Sequence, residues 1–325
     1  MPILTRNAIR LCVLIGAALP IAVLATPSGA ITHGAPDGAA HPYVGIASSG
    51  DEFCSGTLLS PKVFLTAGHC TADFGATGEP TFVTFDPNAG PSSRYITGTP
   101  HTEPGFFNVP PQHLGVPASI GHDLGVIVLD QPVDMPAYGT LPTVNSLDAA
   151  NGTPVTMVGY GAQAWAPQPG GRIPIFTFVR MWAQATLIND ANANGDEFVR
   201  VSTNPGQDQG GIGPGDSGAP AFLEGRTTIA AIGSHVTNPS GSGTAYFSRL
   251  DTMDALAFIS SFLSLAKDRH ATHRHCSAPD STVVAALDVA AAEVDKNVGA
   301  PFQQLGRQGC GIDLLSAPDR FGHIT

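Results

Sequence analysis

The sequence contains LTAGHC at residues 65–70, HDLGVIVL at 122–129 and GPGDSGAP at 213–220. A serine hydroxyl is a weak nucleophile at neutral pH, and it needs a base that is itself oriented by a carboxylate. The three stretches supply one residue of each kind, Ser217, His69 and Asp123. The glycines around the serine allow its backbone N–H groups to turn toward a developing oxyanion.

The chain around these stretches is typical of an all-β protein. Short apolar or β-branched runs alternate with Gly, Pro, Asn and Asp between residues 43 and 247; examples are 62–66, 81–85, 125–129, 155–158, 176–179 and 227–232. Runs of this length and spacing predict an antiparallel sandwich or barrel. The stretches 100–117 and 167–174 are rich in proline, which cannot donate to a β-ladder, and both are predicted to be exposed loops.

The pattern changes after Arg249, where a helix is predicted. Asp251 is a candidate cap, and apolar residues then recur at helical spacing until about Lys267. Residues 268–325 follow as a separate extension, for which the sequence indicates no role.

The charge balance excludes one class of partner. The net charge is −11, with 15 Lys and Arg against 26 Asp and Glu. Such a chain lacks the basic face that binds phosphates, so nucleic acid is excluded.

The N-terminus is typical of an export signal, because Arg6 and Arg10 precede a short apolar run, 11–24. Residues 1–30 are predicted to be the signal peptide; alternatively, cleavage after Ala25 leaves 26–30 as a propeptide. An uncleaved membrane anchor is the other alternative, although the run is short for a bilayer span. The mature protein is expected to be extracellular or periplasmic, without a membrane contact.

The cysteines fit an oxidising compartment. Four remain after the signal, Cys54, Cys70, Cys276 and Cys310, and four cysteines allow three pairings. Their positions favour Cys54–Cys70 and Cys276–Cys310. No CxxC or CxxH spacing indicates zinc.

At its motifs the chain resembles the chymotrypsin/trypsin family of serine proteases. TAGHC and GDSG occur in that family's order, and CSGTL (54–58), MVGYG (157–161) and YFSRL (246–250) extend the resemblance over residues 31–267. The resemblance implies an all-β domain of two packed six-stranded antiparallel barrels, a C-terminal helix and an active site in the cleft between the barrels. Residues 268–325 would be an appendage to it, closed by Cys276–Cys310.

The resemblance also implies roles for the three residues. Ser217 would attack the scissile carbonyl, His69 would carry the proton, and Asp123 would orient His69. The N–H groups of Gly215 and Ser217 would hold the oxyanion. Asp130 is an alternative acid, but it follows the far end of the 125–129 run, where the family has no catalytic group.

A further implication concerns activation. In the family a free N-terminal Ile or Val pairs with the aspartate before the nucleophile. Here Ile31 and Asp216 are the matching residues, so signal cleavage after Ala30 would itself release the activating amine.

The predicted specificity pocket consists of Gly211, Ser234, Val236 and Ala245. Gly211 stands where trypsin-like members have an aspartate, and side chains on the wall reduce the pocket. We therefore expect cleavage after small or medium uncharged residues. A glycine, Gly213, also replaces a cysteine that the family has beside the nucleophile.

The expected partners are protein or peptide substrates and protein inhibitors, for a monomer that requires no cofactor and no metal. Asp190, Asn192 and Asn194 resemble the start of a calcium loop, but Val201 stands where a bidentate Glu is required, which favours a plain turn. The alternative function is a secreted, catalytically silent binding or adhesion protein with the same fold.

Overall fold

The computed structural model describes residues 31–108, 120–188, 197–207, 209–223, 225–236 and 243–271. Side chains at 205 and 265–271 are not described. The signal peptide, the calcium-like turn and the Cys276–Cys310 pair lie outside the described residues, so these remain predictions.

The first barrel consists of six antiparallel strands. They are β2 (Val44–Ser49), β3 (Glu52–Ser60), β4 (Val63–Thr66), β5 (Thr81–Thr84), β6 (Ile96–Thr102) and β9 (Gly125–Leu129). Their order is β2-β3-β4-β9-β6-β5, and pairing of β5 with β2 closes the barrel.

The second barrel also has six antiparallel strands. They are β10 (Pro154–Gly159), β13 (Met181–Ile188), β14 (Phe198–Thr203), β15 (Pro220–Leu223), β16 (Ile229–Val236) and β17 (Gly243–Arg249). The order β13-β10-β15-β16-β17-β14 closes through β13 and β14, and β1 (Ala35–Pro36) pairs with β13 at its edge. The two predicted six-stranded barrels are thus confirmed.

The remaining elements are short ribbons and two helices. β7 (Phe107–Asn108) pairs with β8 (Ile120–Gly121), β11 (Ala164–Gln168) pairs with β12 (Gly171–Ile175), and a 3₁₀ turn spans Pro205–Gln207. Helix α1 spans Gly68–Thr77 and helix α2 spans Met253–Ala271. Neither of these helices is both long and apolar enough to cross a membrane.

The two cores differ in side-chain size. The first is filled by bulky residues such as Phe64, Leu65 and Ile127, which are fully buried, and residues of α2 join it. The second contains many alanines, which are Ala150, Ala183, Ala185, Ala221, Ala230, Ala231 and Ala245. Ile31 belongs to this second core and is also fully buried.

Two proline-rich stretches predicted to be loops contain strands. Pro100 lies in β6 opposite Ile127 of β9, beyond the residues of β6 that pair with β5, so its missing N–H leaves no partner unpaired there. Pro167 and Pro174 lie in the two-stranded ribbon of β11 and β12, where each strand has an open edge. Proline is tolerated at such edges.

One apolar run is not a strand. The run 176–179 lies between β12 and β13, and Phe178 has φ +55°, a left-handed conformation that interrupts a strand. The other five runs given as examples overlap β4, β5, β9, β10 and β16.

The start and end of helix α2 differ from the prediction. Thr252 caps it, because the N–H of Ala255 donates to Thr252 Oγ1 at 3.3 Å. Asp251 instead accepts from the N–H of Leu147 and from Arg249, at 2.8 and 2.9 Å. The helix continues to Ala271, beyond the predicted end near Lys267.

A buried ion pair fixes the segment that follows Ile31. The Arg180 side chain is 1% exposed, and its Nε donates to Asp37 Oδ2 at 2.9 Å. The same guanidinium donates to the carbonyls of Gly38, at 2.6 Å, and Val44, at 3.0 Å. The N-terminal segment is therefore attached to both barrels.

Candidate active site

Antiparallel pairing of β4 with β9 brings His69 and Asp123 together. Thr66, the last residue of β4, lies opposite Gly125, the first residue of β9. His69 follows β4 in the first turn of α1, and Asp123 precedes β9, so both lie at the same edge of the barrel. The backbone N–H of His69 donates to Asp123 Oδ1 at 2.8 Å, and His69 Nδ1 lies 3.1 and 3.0 Å from Oδ1 and Oδ2.

His69 and Asp123 differ in exposure, and the contact between them shifts the pKa of both residues. The Asp123 side chain is fully buried, while 21% of the His69 side chain is exposed. Burial alone raises the pKa of Asp123, but the His69 ring and the hydrogen bonds to the carboxylate outweigh burial and lower it. Burial also lowers the pKa of His69, yet attraction to Asp123 prevails and raises that pKa above its ordinary value. With Nδ1 bound to Asp123, Nε2 remains as the basic nitrogen.

Backbone hydrogen bonds join the turn around Ser217 to the first barrel. Its carbonyl accepts the N–H of Ser55 at 2.9 Å, and the Ser55 hydroxyl donates to the carbonyl of Gly215 at 2.9 Å. The hydroxyl of Thr66 in turn donates to the Ser55 carbonyl at 2.8 Å, which ties this contact to the end of β4.

The glycine after the serine brings the two barrels into close contact. Gly218 donates its N–H to the carbonyl of Gly233 at 2.7 Å and has φ +78°. A Cβ at this position would lie only 2.8 Å from the backbone nitrogen of Ala67, two residues before His69. Glycine is therefore required here, and it places the turn around Ser217 beside the residues that lead into His69.

Gly215 has the backbone conformation that the oxyanion prediction requires. Its φ is +87°, which L side chains rarely adopt, and a Cβ would collide with the ring of Phe53. The role of the Gly215 and Ser217 N–H groups as oxyanion donors stays a prediction.

Asp216 is fully buried behind the serine turn and is bound by backbone groups. Its Oδ1 accepts the N–H of Gly161 at 2.8 Å, its Oδ2 accepts the N–H of Gly213 at 3.0 Å, and the N–H of Ile31 also hydrogen-bonds to it. Burial raises the pKa of Asp216 to about 7 despite these donors. The structure thus brings together the two residues of the predicted activation pair.

The backbone of Thr32 holds the preceding residue, Ile31, close to Asp216. Thr32 and Gly211 exchange backbone hydrogen bonds of 2.8 and 3.1 Å, in an isolated antiparallel bridge. Gly211, one of the predicted pocket residues, therefore contacts the N-terminal segment directly.

The other predicted pocket residues have different surroundings. Ser234 donates its hydroxyl to Asp123 Oδ2 at 2.6 Å, a contact that no motif in the sequence predicted. Val236 and Ala245 are paired across β16 and β17, and Ala245 belongs to the core of the second barrel. The assignment of these residues to a pocket stays a prediction.

The predicted disulfide between Cys54 and Cys70 is present, with 6.3 Å between the Cα atoms, and it joins β3 to α1. His69 and these two sulfurs form a group of potential metal ligands, but the disulfide occupies both sulfurs. The alternative acid, Asp130, is exposed, and its carboxylate accepts the hydroxyl of Thr97.

Comparison with known proteins agrees with this geometry. The family model described as Trypsin matches residues 32–253, more than half of the chain, and the chain therefore belongs to the trypsin family. A search of curated proteins found no match.

Solved structures with the same fold cover most of the chain. Human heparin binding protein has a TM-score of 0.54 at 19% identity, covering 76% of this chain and 99% of its own. HL collagenase has a TM-score of 0.56 at 17% identity, covering 74% and 99%. Neuropsin, a serine protease expressed in the limbic system of mouse brain, has a TM-score of 0.52 at 16% identity, covering 69% and 95%. At these identities the likeness shows the fold alone.

Proposed function

We propose that this chain is a secreted serine endopeptidase that cleaves peptide bonds through an acyl-enzyme at Ser217. One observation carries the proposal. His69 Nδ1 lies 3.0 Å from the buried carboxylate of Asp123. The turn that contains Ser217 is hydrogen-bonded to the first barrel and lies close to Ala67, two residues before His69. Family membership is consistent with protein or peptide substrates.

The arrangement supports acyl transfer in two halves. Ser217 Oγ attacks the scissile carbonyl while His69 Nε2 takes the hydroxyl proton, and the C–N bond then breaks as His69 returns that proton to the leaving amine. In the second half water attacks the acyl carbon while His69 Nε2 takes its proton, and the bond from the acyl carbon to Ser217 Oγ then breaks as His69 returns that proton to the serine. Asp123 holds Nδ1–H throughout and stabilises the imidazolium, which fits the raised pKa of His69.

Activation is proposed to depend on a free amino group at Ile31. The N–H of Ile31 already reaches the Asp216 carboxylate, and burial without a cation raises the pKa of that carboxyl to about 7. An ammonium at Ile31 would keep Asp216 ionised and the serine turn in place. Signal cleavage after Ala30 would release this amine; cleavage after Ala25 would leave five further residues to be removed.

The preference for small or medium uncharged residues before the cut is also a proposal. Gly211 provides no charge to pair with a basic substrate side chain, and Val236 adds bulk next to Ser234 and His235. A lysine or arginine would therefore bury its charge without a partner in this pocket, which is costly.

The second candidate is a silent binding protein on the same fold. A similar structure is named for binding heparin. Heparin is a polyanion, however, and the net charge of −11 here opposes such a ligand.

The test is the intact mass of the secreted protein before and after a fluorophosphonate probe. We expect one adduct on the wild type, none on Ser217→Ala, and one on the control Ser261→Ala, whose serine is exposed on α2. The unlabelled mass also gives the first residue. A chain that begins at Ile31 and remains unlabelled would overturn the protease proposal in favour of the binding protein.

A further inference from the structure

A second histidine is linked to the candidate triad. Ser234 Oγ lies 2.6 Å from Asp123 Oδ2 and 3.2 Å from His235 Nδ1. The chain of contacts therefore runs from His69 through Asp123 and Ser234 to His235.

The positions of the protons in this chain follow from the groups present. Asp123 is held ionised by His69, so its carboxylate only accepts hydrogen bonds. The Ser234 hydroxyl has one proton, and the shorter contact, to a charged acceptor, takes it. His235 Nδ1 must then be the donor to Ser234 Oγ, which makes His235 Nδ1 protonated and Nε2 unprotonated.

The ring of His235 is enclosed by aromatic side chains. It stacks on Tyr246 with centroids 4.6 Å apart and planes 5° apart, and it meets the edge of Phe198 at 5.5 Å. Its Nε2 is buried without a hydrogen-bond partner among the described residues. Two rings thus fix the plane of His235, and Nδ1 is the nitrogen that has a partner.

We propose that His235 is a positioning residue of the active site: its Nδ1–H keeps Ser234 Oγ as an acceptor, so that the Ser234 proton is committed to Asp123. This rests on the proposed function, because the carboxylate it supports is that of the proposed triad. A serine without this donor is free to rotate its hydroxyl away from Asp123. The carboxylate would then lose one of its two side-chain donors.

His235 serves this role in its neutral form. The ionisable groups that face it are Asp123 and His69 through Ser234, and the phenol of Tyr246 on β17; Arg200 of β14 lies opposite Tyr246 in the sheet and has its own interactions. Burial lowers the pKa of His235 to about 4. The pKa of His69 is raised, so His235 is already neutral at any pH at which His69 is neutral.

Four single variants and one double variant test the role by activity. His235→Phe keeps the stacking and removes the donor, and we expect kcat to fall about 3- to 10-fold with KM unchanged. His235→Asn retains an N–H near the place of Nδ1 and should restore most of kcat, whereas His235→Gln, with its N–H near the place of Nε2, should not. Ser234→Ala should show a similar loss, and adding His235→Phe to it should cause no further loss.

The outcomes separate positioning from substrate contact. Independent, additive losses in the double variant, or a loss that appears in KM alone, would overturn the proposal and make His235 a pocket wall. Rescue by Asn together with a non-additive double variant would support it.

A second measurement needs no turnover. Nitrogen NMR of the full chain carrying Ser217→Ala should show His235 protonated at Nδ1, and Ser234→Ala in that background should abolish the preference. Protonation at Nε2, or a preference unchanged by Ser234→Ala, would overturn the proposal. Because this result does not depend on activity, failure of the protease proposal, seen as an unlabelled wild type, is distinguishable from failure of the His235 proposal.

Discussion

Asp123, which contacts His69, and Asp216, which precedes Ser217, are both buried, yet their pKa values shift in opposite directions. Burial raises both pKa values. For Asp123, the His69 ring and the hydroxyl of Ser234 outweigh burial, and the pKa falls below its ordinary value. For Asp216 the donors are backbone N–H groups alone, and the pKa rises to about 7. A nearby ionisable ring thus decides the sign, not the depth of burial.

The difference indicates which carboxylate still needs a partner. Asp123 has its complete set of partners as part of the folded chain. Asp216 lies where a cation would be favourable, and the residue nearest to it along the N-terminal segment is Ile31. Folding therefore brings together the partners of Asp123, whereas under the proposed activation the partner of Asp216 would be supplied only by N-terminal processing.

The largest expected effect is that of Asp123→Asn, which removes the charge and disturbs the tautomer of His69. We expect kcat to fall about 10⁴-fold. The pKa of His69 should fall as well, because attraction to Asp123 is what raises it. In the proposed mechanism His69 acts as a base and must be neutral, so we expect the acid limb of the pH profile of kcat/KM to move to lower pH. The control is Asp130→Asn; if it lost as much activity as Asp123→Asn, the assignment of the acid would be wrong.

The next effect concerns Asp216 and the start of the chain. A chain that begins at Ile31 and one that retains Ala30 should differ about 100- to 1000-fold in kcat/KM, because only the first provides an ammonium for the buried carboxylate. Equal activity in the two chains would show that no ion pair at Asp216 is required.

The same two chains should differ in the pH dependence of their stability. In the longer chain the folded-state pKa of Asp216 is about 7, against an ordinary value of 3.8. The folded state then binds the proton more tightly, so this contribution to stability is complete below about pH 4 and is lost as the pH rises through about 7. Urea unfolding of both chains at pH 5 and pH 8, each with Ser217→Ala to prevent self-cleavage, should show the loss in the longer chain and a smaller one in the chain beginning at Ile31.

The smallest effect is expected from Gly161→Ala. A Cβ at Gly161 would collide with the carboxylate of Asp216, so the methyl group should destabilise the protein by about 1–3 kcal/mol in urea unfolding. Gly75→Ala is the control: a Cβ there meets nothing within 4 Å, and alanine favours helix α1, so its stability should be unchanged or slightly higher. An unchanged free energy of unfolding for Gly161→Ala would mean that the residues around Asp216 rearrange easily to admit the methyl group.

The sequence predicts those features that depend on short motifs and local pattern. The short runs predict an antiparallel sandwich or barrel, and cysteine position favours the disulfide between Cys54 and Cys70. The two barrels and the proximity of His69 to Asp123 are what the family resemblance of the motifs implies. The contact between Ser234 and Asp123 joins residues 111 positions apart in different barrels. No local pattern indicates such a contact.

Local rules also failed where tertiary context decides the backbone. Proline indicates a loop, but an unpaired strand edge accepts it, as at Pro100 and Pro174. Phe178 belongs to an apolar run, yet its left-handed backbone ends any strand there. Asp251 is a typical cap residue, but its carboxylate binds the buried Arg249 instead, and Thr252 caps the helix.

The ion pair of Arg180 with Asp37 has a consequence for the length of the mature N-terminus. Together with the bridge of Thr32 to Gly211, it sets the length of chain between a buried anchor at Asp37 and the carboxylate of Asp216. One residue of extended chain spans about 3.3–3.6 Å, more than the tolerance of a hydrogen bond. Under the proposed activation, an amine one residue earlier or later would miss the carboxylate, so we expect activity from a single cleavage position only.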